Sequence, residues 1–125
     1  MRRVVIIICS ILIVVIFTLL VVRQNYKNSP DYNYITAKLD IKNKNARIVN
    51  IGLRKPSSKD KEIDSIEAWF GFKNIYIGYD TTKQIKSGIN NYNEVIEAFL
   101  KLRNGMDWRA HYQRKIDSIY NAASK

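Results

Sequence analysis

Residues 81–105 read "TTKQIKSGINNYNEVIEAFLKLRNG", and their apolar side chains recur at the spacing of an amphipathic helix. Steps of four and three place one set of side chains on a single face: Ile85, Ile89, Tyr92, Ile96, Phe99 and Arg103. Arg103 can end this series because its aliphatic stem still covers apolar surface. Thr81 and Gln84 have the spacing of a capping box, and Asn104 with Gly105 supplies a stop signal. The stretch therefore predicts one long helix.

A second helix is predicted directly after this stop. Asp107 stands where an N-cap residue belongs. The apolar residues that follow again recur at helical spacing: Trp108, Tyr112, Ile116 and Ile119. We expect Trp108 to pack at the junction of the two helices.

Upstream of residue 81 the sequence predicts a helix and then a strand. Ser57 and Asp60 have the spacing of a capping box, and Gly71 is placed to end the helix in a left-handed conformation. The apolar residues between them share one helical face: Ile63, Ile66 and Phe70. The next segment, "KNIYIGYD" at residues 73–80, has the period-2 alternation of a strand.

Residues 34–55, "YITAKLDIKNKNARIVNIGLRK", are predicted to form a β-hairpin. Apolar residues alternate with polar ones along its first strand: Ile35, Ala37, Leu39 and Ile41. Residues 42–45 supply the turn, because asparagine tolerates left-handed backbone. Val49, Ile51 and Leu53 then form the inward face of the second strand. The order β-β-α-β-α-α predicts an α+β domain over residues 34–125, with a three-stranded antiparallel sheet and helices on one face.

The N-terminal region contains an apolar run from Val4 to Val22 without a charged residue. As a helix, these 19 residues span roughly 28 Å, close to the hydrocarbon thickness of a bilayer. The segment that follows lacks the small-x-small pattern of a signal-peptidase site. We therefore predict a transmembrane signal-anchor helix over residues 1–23 and a polar tether over residues 24–33. A cleaved signal peptide and a buried core helix are the alternatives.

Charged residues beside the anchor predict its orientation. Arg2 and Arg3 precede the span and favour an N-terminus on the cytoplasmic side, whereas Arg23 and Lys27 follow it. Long domains translocate largely regardless of such charges. The expected location is therefore a bacterial inner membrane, crossed once through residues 4–22, with the C-terminal domain outside.

The chain after the anchor is basic. It keeps 18 of the 21 Lys and Arg residues and all 11 acidic ones, a net charge of about +7. Such a charge attracts anionic lipid or an anionic polymer, and the membrane anchor makes nucleic acid an unlikely partner. The one cysteine, Cys9, lies inside the apolar run, which excludes disulfides within the chain and cysteine-based metal sites.

Basic and aromatic residues are mixed around the turn between the last two predicted helices. We name this set the basic patch, and it is a possible anionic-ligand site: Lys101, Arg103, Trp108, Arg109, Arg114 and Lys115. The alternative is that Trp108 packs at the helix junction while the cations are solvated. A site built from this patch would bind phosphate or anionic head groups.

No recognisable catalytic constellation stands out in the sequence. The single histidine, His111, has no nucleophile or acid linked to it by a known spacing. Asp60, Glu62 and Asp64 fit charges at a helix N-terminus better than metal ligands. We therefore predict no catalytic, cofactor-binding or metal residues. A small hydrolase that uses unrecognised carboxylates is the alternative, for which Asp80 or Asp107 would have to lie in a deep pocket.

Between residues 69 and 108 the chain resembles a loose group of small exported or membrane-anchored bacterial α+β proteins with no assigned activity. Four short motifs carry this resemblance: Gly71–Phe72, Ile77–Gly78, Tyr92–Asn93, and Gly105 with Trp108. The resemblance implies a common fold and a location in the envelope, and it transfers no functional residue.

These observations together predict a membrane-anchored envelope protein. Its small basic domain is expected to act as a binding or scaffolding module for another envelope protein. A secreted or peripheral domain that binds anionic lipid or polymer is the main alternative within binding functions.

Overall fold

The computed structural model describes residues 1–27 and 31–122. It contains helices and strands in the order α1 (Arg2–Lys27), α2 (Tyr34–Lys42), β1 (Arg47–Ile51), α3 (Asp60–Phe70), β2 (Lys73–Ile77), α4 (Lys83–Asn104) and α5 (Trp108–Ala122). The mixed α and β composition is as predicted. The predicted tether, residues 24–33, falls partly outside the described residues.

Helix α1 carries the apolar run. Its segment Arg2–Val21 has a mean hydropathy of 3.5, and none of it is buried in the domain. The two hydroxyl side chains in the run, Ser10 and Thr18, donate to the carbonyl oxygens of Ile6 and Val14 one turn earlier, at 2.9 and 2.6 Å. The helix is long and apolar enough to cross a membrane, a property that it shares with a signal sequence.

Helix α2 replaces the predicted first strand of the hairpin, so that prediction was wrong. Asn33 caps the helix: its Oδ1 accepts the N–H groups of Ile35 at 2.8 Å and Thr36 at 3.0 Å. The Thr36 hydroxyl in turn accepts the Asn33 N–H at 2.9 Å and completes a capping box. Once these N–H groups are bound in this way, the segment starts a helix instead of a strand.

The sheet has two parallel strands, with Arg47 paired to Lys73 at one end and Ile51 to Ile77 at the other. The predicted three-stranded antiparallel sheet is therefore wrong. Two strands joined through a helix such as α3 cannot form a hairpin, and a crossover of this kind connects parallel neighbours. With the first strand lost to α2, only this β-α-β unit is left to form the sheet.

Asn93 of α4 occupies the edge of β1 that faces away from β2. Its Oδ1 accepts the N–H of Val49 at 3.0 Å, and its Nδ2 donates to the Val49 carbonyl at 2.9 Å. Val49 is buried, so these two backbone groups would otherwise lack partners. The side-chain amide thus pairs with the strand in the way that a third strand would.

The core is built around α4, as its periodicity predicts. Ile89, Tyr92 and Ile96 are buried, and Ile85 and Phe99 pack against them from partly exposed positions. The other buried apolar side chains come from α4 itself, from α2, β1, α3 and α5, and from the residues just before β1 and β2: Ala37, Ala46, Ile48, Val49, Phe70, Phe72, Leu100 and Trp108. Helix α2 packs on α4, α3 packs on α5, and α4 also contacts β1.

The end of α3 is held by the end of α4. Gly71 takes the left-handed conformation predicted for it, with φ of 88°. The Asn104 Nδ2 donates to the Phe70 carbonyl at 2.9 Å, and the Arg103 guanidinium lies against Gly71. The cation therefore faces the carbonyl end of α3, where the helix dipole favours positive charge.

At two helix starts, the predicted N-cap residue lies one or two positions before the observed one. Helix α3 begins after Lys59, and the Ser57 hydroxyl accepts the Lys59 N–H at 3.2 Å without reaching into the helix. Helix α4 begins after Thr82, whose hydroxyl accepts the N–H of Ile85 at 3.2 Å, in place of the predicted cap at Thr81.

We expect Asn93→Ala to lower the free energy of unfolding by roughly 2–4 kcal/mol, because it leaves the buried N–H and C=O of Val49 without partners. Asn91→Ala is the matched control, since Asn91 is an exposed asparagine on the same helix. Its effect should stay within about 0.5 kcal/mol. Chemical denaturation of both variants measures the difference, and equal effects would contradict the role given to Asn93.

Gly71→Ala should destabilise the domain by about 1–2 kcal/mol, because a side chain strains a left-handed backbone. The new Cβ would also lie 2.6 Å from Cζ of Arg103, which would have to move. Gly78→Ala is the control, because a Cβ there meets nothing within 4 Å and the residue does not have a positive φ. Thermal unfolding should rank Gly71→Ala clearly below Gly78→Ala, and the reverse order would contradict this account.

Candidate functional site

The residues of the basic patch are distributed over several places. Trp108 is buried and its ring lies 5.5 Å from that of Phe72, within an aromatic cluster that also includes Phe70 and Tyr112. Arg109 is paired with Glu97 and lies over the Trp108 ring, 4.9 Å from its centroid. Trp108 is thus a core residue.

The other four cations of the patch are exposed but do not share one surface. Lys101 lines a shallow cleft on α4 with Glu94, Glu97 and Arg109. Arg103 lies against Gly71, and the Lys115 ammonium lies 5.0 Å from the ring centroid of Trp69. Arg114 is exposed on α5. The structure brings Lys101 and Arg109 together, and anion binding by the patch stays a prediction.

A cleft of about 330 Å³ lies between α3, α5 and the sheet, and we name it the tyrosine cleft. Its walls carry three phenol side chains, from Tyr76, Tyr112 and Tyr120. Its polar residues include Glu67 of α3 and Asn74 of β2. The volume is at the small end of the range for ligand sites, which usually combine an apolar lining with a few fixed polar groups.

Glu67 is the one buried acidic residue among the described residues, with 2% of its surface exposed. Its Oε2 accepts the backbone N–H of Asn74 at 2.8 Å, and its Oε1 accepts from the Asn74 Nδ2 at 2.7 Å. The Tyr112 hydroxyl donates to the same Oε1 at 3.3 Å. Burial, followed by the nearby Glu67 charge, raises the pKa of Tyr112 well above its usual value. The carboxylate is therefore held by three donors.

The network continues across the sheet through Asn74. Its Oδ1 accepts from the Asn50 Nδ2 at 3.1 Å, so one amide links β1, β2 and α3. Sequence reasoning missed this arrangement. The signal available was a glutamate, Glu67, next to the predicted apolar face of Ile63, Ile66 and Phe70.

One of the two cations that line the tyrosine cleft, Arg54, is paired with acidic residues. Arg54 donates to Asp60 at 2.8 Å and to Asp64 at 3.4 Å. Burial opposes the charge of Arg54, but the Asp60 and Asp64 carboxylates outweigh burial and raise the pKa of the guanidinium. The cleft therefore offers phenol and amide groups, suited to a small polar ligand, with the exposed Lys55 as its second cation.

A second cleft, of about 540 Å³, contains three cations, and we name it the lysine cleft. Lys44, Lys73 and Arg103 line it together with apolar side chains, and none of its lining residues is acidic. It lies beside the C-terminal ends of α2 and α3, and its Arg103 lies against Gly71 at the end of α3. Helix dipoles favour positive charge there without any bound anion.

A third polar cluster joins α2, β1 and α4. Asp40 accepts from the Arg47 Nη2 at 2.6 Å and also from the Tyr92 hydroxyl. The Tyr92 ring contacts Tyr32 edge-on, with centroids 5.4 Å apart. Burial and the hydrogen bond to Asp40 together raise the pKa of Tyr92 to about 12. The cluster fixes the position of α2 on the domain.

Candidate catalytic and metal-binding residues are dispersed. Asp80, Asp107 and His111 are exposed, and within the described part of the chain they line none of the three clefts. Among residues 1–27 and 31–122, no group of three or more His, Cys, Asp and Glu side chains could hold a metal ion. The carboxylate alternative therefore gains no support from these three clefts.

The chain matches no protein-family model, no curated protein and no solved structure. The resemblance of residues 69–108 to small exported or anchored bacterial proteins therefore stays a prediction. In the structure its motif residues have local roles: Gly71 ends α3, Tyr92 and Trp108 are buried, and Asn93 binds β1.

We expect the stability advantage of the natural chain over Tyr92→Phe to shrink as pH rises from about 10 to about 12. The pKa of Tyr92 is higher in the folded protein than the 10.0 of a free phenol, so the folded state holds this proton more tightly. The resulting stability is complete below pH 10 and is lost as pH rises through about 12. The full loss would be about 2–3 kcal/mol.

Denaturation of both proteins at a series of pH values measures this difference. Tyr112 titrates in both chains, so its contribution cancels. A difference that stays constant across the interval would contradict the preferential binding of the protonated phenol to Asp40.

Proposed function

We propose that this chain is a single-pass membrane protein in which α1 anchors a small basic domain at the membrane surface, where the domain works as a binding module. The observation that carries the proposal is the fully exposed apolar segment Arg2–Val21. Exposing this apolar surface to water costs a large free energy, whereas burying it in the hydrocarbon of a bilayer does not.

An anchor is favoured over a cleaved signal by the sequence at the end of the span. The residues after Thr18 read "LLVVRQNYK", which provides no small-x-small pair for signal peptidase. The helix also continues past Val22 to Lys27. These features support retention of α1 in the mature protein.

The orientation that we propose places the domain outside a bacterial inner membrane. Arg2 and Arg3 sit at the N-terminal end of α1, which favours a cytoplasmic N-terminus. The domain would then meet other envelope components.

Binding is favoured over catalysis by the state of the polar groups in the tyrosine cleft. The carboxylate of Glu67 is already bound by Asn74 and Tyr112, so it is engaged in holding the fold together. Tyr76 is exposed on a wall of the cleft and offers an aromatic face to a ligand. We propose that a small polar group of an envelope partner occupies this cleft.

Two lysines in the middle of the span should abolish anchoring. The sixteen Leu, Ile, Phe and Val residues between Val4 and Val22 favour insertion by about 5–10 kcal/mol in total. Each central lysine opposes insertion by about 2.5–3.5 kcal/mol. The double substitution Leu12→Lys with Val15→Lys therefore cancels most of the favourable free energy of insertion. The matched control is Leu12→Ile with Val15→Leu, which keeps the span apolar.

The measurement is the intact mass of the protein in membrane and soluble fractions after alkaline carbonate extraction. The natural chain and the control should stay in the membrane at full length, and the double lysine variant should be lost from it. A natural chain found in the soluble fraction with a mass that starts downstream of Val22 would show a cleaved signal and contradict the anchor.

A further inference from the structure

One side of α2 is exposed and combines apolar, aromatic and basic side chains. We name it the outer face of α2, and it consists of five residues at helical spacing: Tyr34, Ile35, Lys38, Leu39 and Lys42. Tyr34 is 54% exposed, and Ile35 and Leu39 are each 49% exposed. The Lys38 ammonium lies 4.7 Å from the centroid of the Tyr34 ring. None of the five is acidic.

The rest of the domain holds this face in a fixed orientation. The opposite side of α2 packs on α4 through the fully buried Ala37. Asp40 is turned inward, where it binds Arg47 and Tyr92. Helix α2 therefore cannot rotate to bury Ile35 and Leu39 without breaking these bonds.

The composition of the outer face is that of a helix lying at a membrane surface. Single exposed apolar residues are common on proteins, but Ile35 and Leu39 are one turn apart and lie side by side. Tyrosine and lysine flank them, and these two residue types are favoured at the level of the lipid head groups.

The chain connection brings α2 close to the end of the anchor. Helix α1 ends at Lys27 and α2 begins at Tyr34. The six residues between them make seven Cα–Cα steps, which reach at most about 25 Å even when fully extended. If α1 spans the bilayer, α2 begins within that distance of the end of α1, and the interfacial layer itself is roughly 5–8 Å thick on each side.

The charge on the outer face is not neutralised within the domain. The described residues form five ion pairs, and neither Lys38 nor Lys42 takes part in them. By contrast, Arg54 and Arg109 carry acidic partners. Each lysine at an anionic surface strengthens binding about fivefold.

We propose that the outer face of α2 rests on the anionic head groups of the membrane in which α1 is anchored, with Ile35 and Leu39 inserted between the lipids. This inference depends on the proposed anchor. Lys38 and Lys42 bind lipid phosphates, and the tyrosine cleft stays available for another ligand. The contact sets the orientation of the domain on the membrane.

The test uses the full-length protein with Cys9→Ser, reconstituted into vesicles of phosphatidylcholine with or without phosphatidylglycerol. Leu39→Cys carries an environment-sensitive nitrobenzoxadiazole label on the outer face of α2. Leu102→Cys carries the same label on α4, where the natural side chain is 89% exposed. In phosphatidylglycerol vesicles, aqueous iodide should quench the label at position 39 several-fold less than the label at position 102.

A charge variant separates the lipid contact from general burial of the label. Lys38→Gln with Lys42→Gln should increase quenching at position 39, and high salt should act in the same direction. Lys83→Gln with Lys86→Gln is the matched control, since these two exposed lysines lie on α4, and it should leave the quenching unchanged.

Flotation of the vesicles after carbonate treatment keeps the two proposals apart. Protein that floats while the labels at positions 39 and 102 are quenched equally would overturn the membrane contact and leave the anchor standing. Protein that fails to float would overturn the anchor and, with it, the contact that depends on it.

Discussion

A parallel sheet of only two strands leaves one edge of each strand unpaired, and the fold depends on how β1 satisfies its edge. The amide of Asn93 binds both backbone groups of Val49, which places α4 along the strand. Isolated two-stranded sheets are marginal in water, so the sheet requires this helix. The position of α4 then determines where α2 and α3 pack. Its Tyr92 holds α2 through Asp40, and its C-terminal end holds α3 at Gly71.

The helices of the second half could be predicted because each has one signal that dominates. The face Ile89–Tyr92–Ile96 and the stop at Gly71 leave no competing interpretation of those segments. The prediction of a strand for residues 34–42 was wrong because the spacing of a strand and that of a helix coincide there. Apolar residues at every second position also form i,i+4 pairs, so Ala37 and Ile41 face the core while Ile35 and Leu39 face outward. The deciding signal was the Asn33 cap, which lies outside the alternating segment.

The polar sites could be predicted less well because they join residues far apart in sequence. Glu67 and Asn74 meet Tyr112 more than thirty residues later, and Asn93 meets Val49 across 44 residues. The basic patch, for example, groups residues that are close in sequence but lie on different helix faces. Residues two apart, such as Lys101 and Arg103, project about 200° from each other around a helix. That separation explains why Arg103 contacts Gly71 while Lys101 lines a different cleft.

The net charge of +10 therefore says less about partners than the placement of each cation. Arg47, Arg54 and Arg109 are paired with carboxylates inside the domain, and those pairs present little charge to a distant surface. Lys38 and Lys42 have no such pairing among the described residues, and they lie on the element that follows α1. Electrostatic attraction to a membrane decays within about 8–10 Å. If α1 spans a bilayer as proposed, only cations held that close to it contribute, which favours those near the connection from α1 to α2.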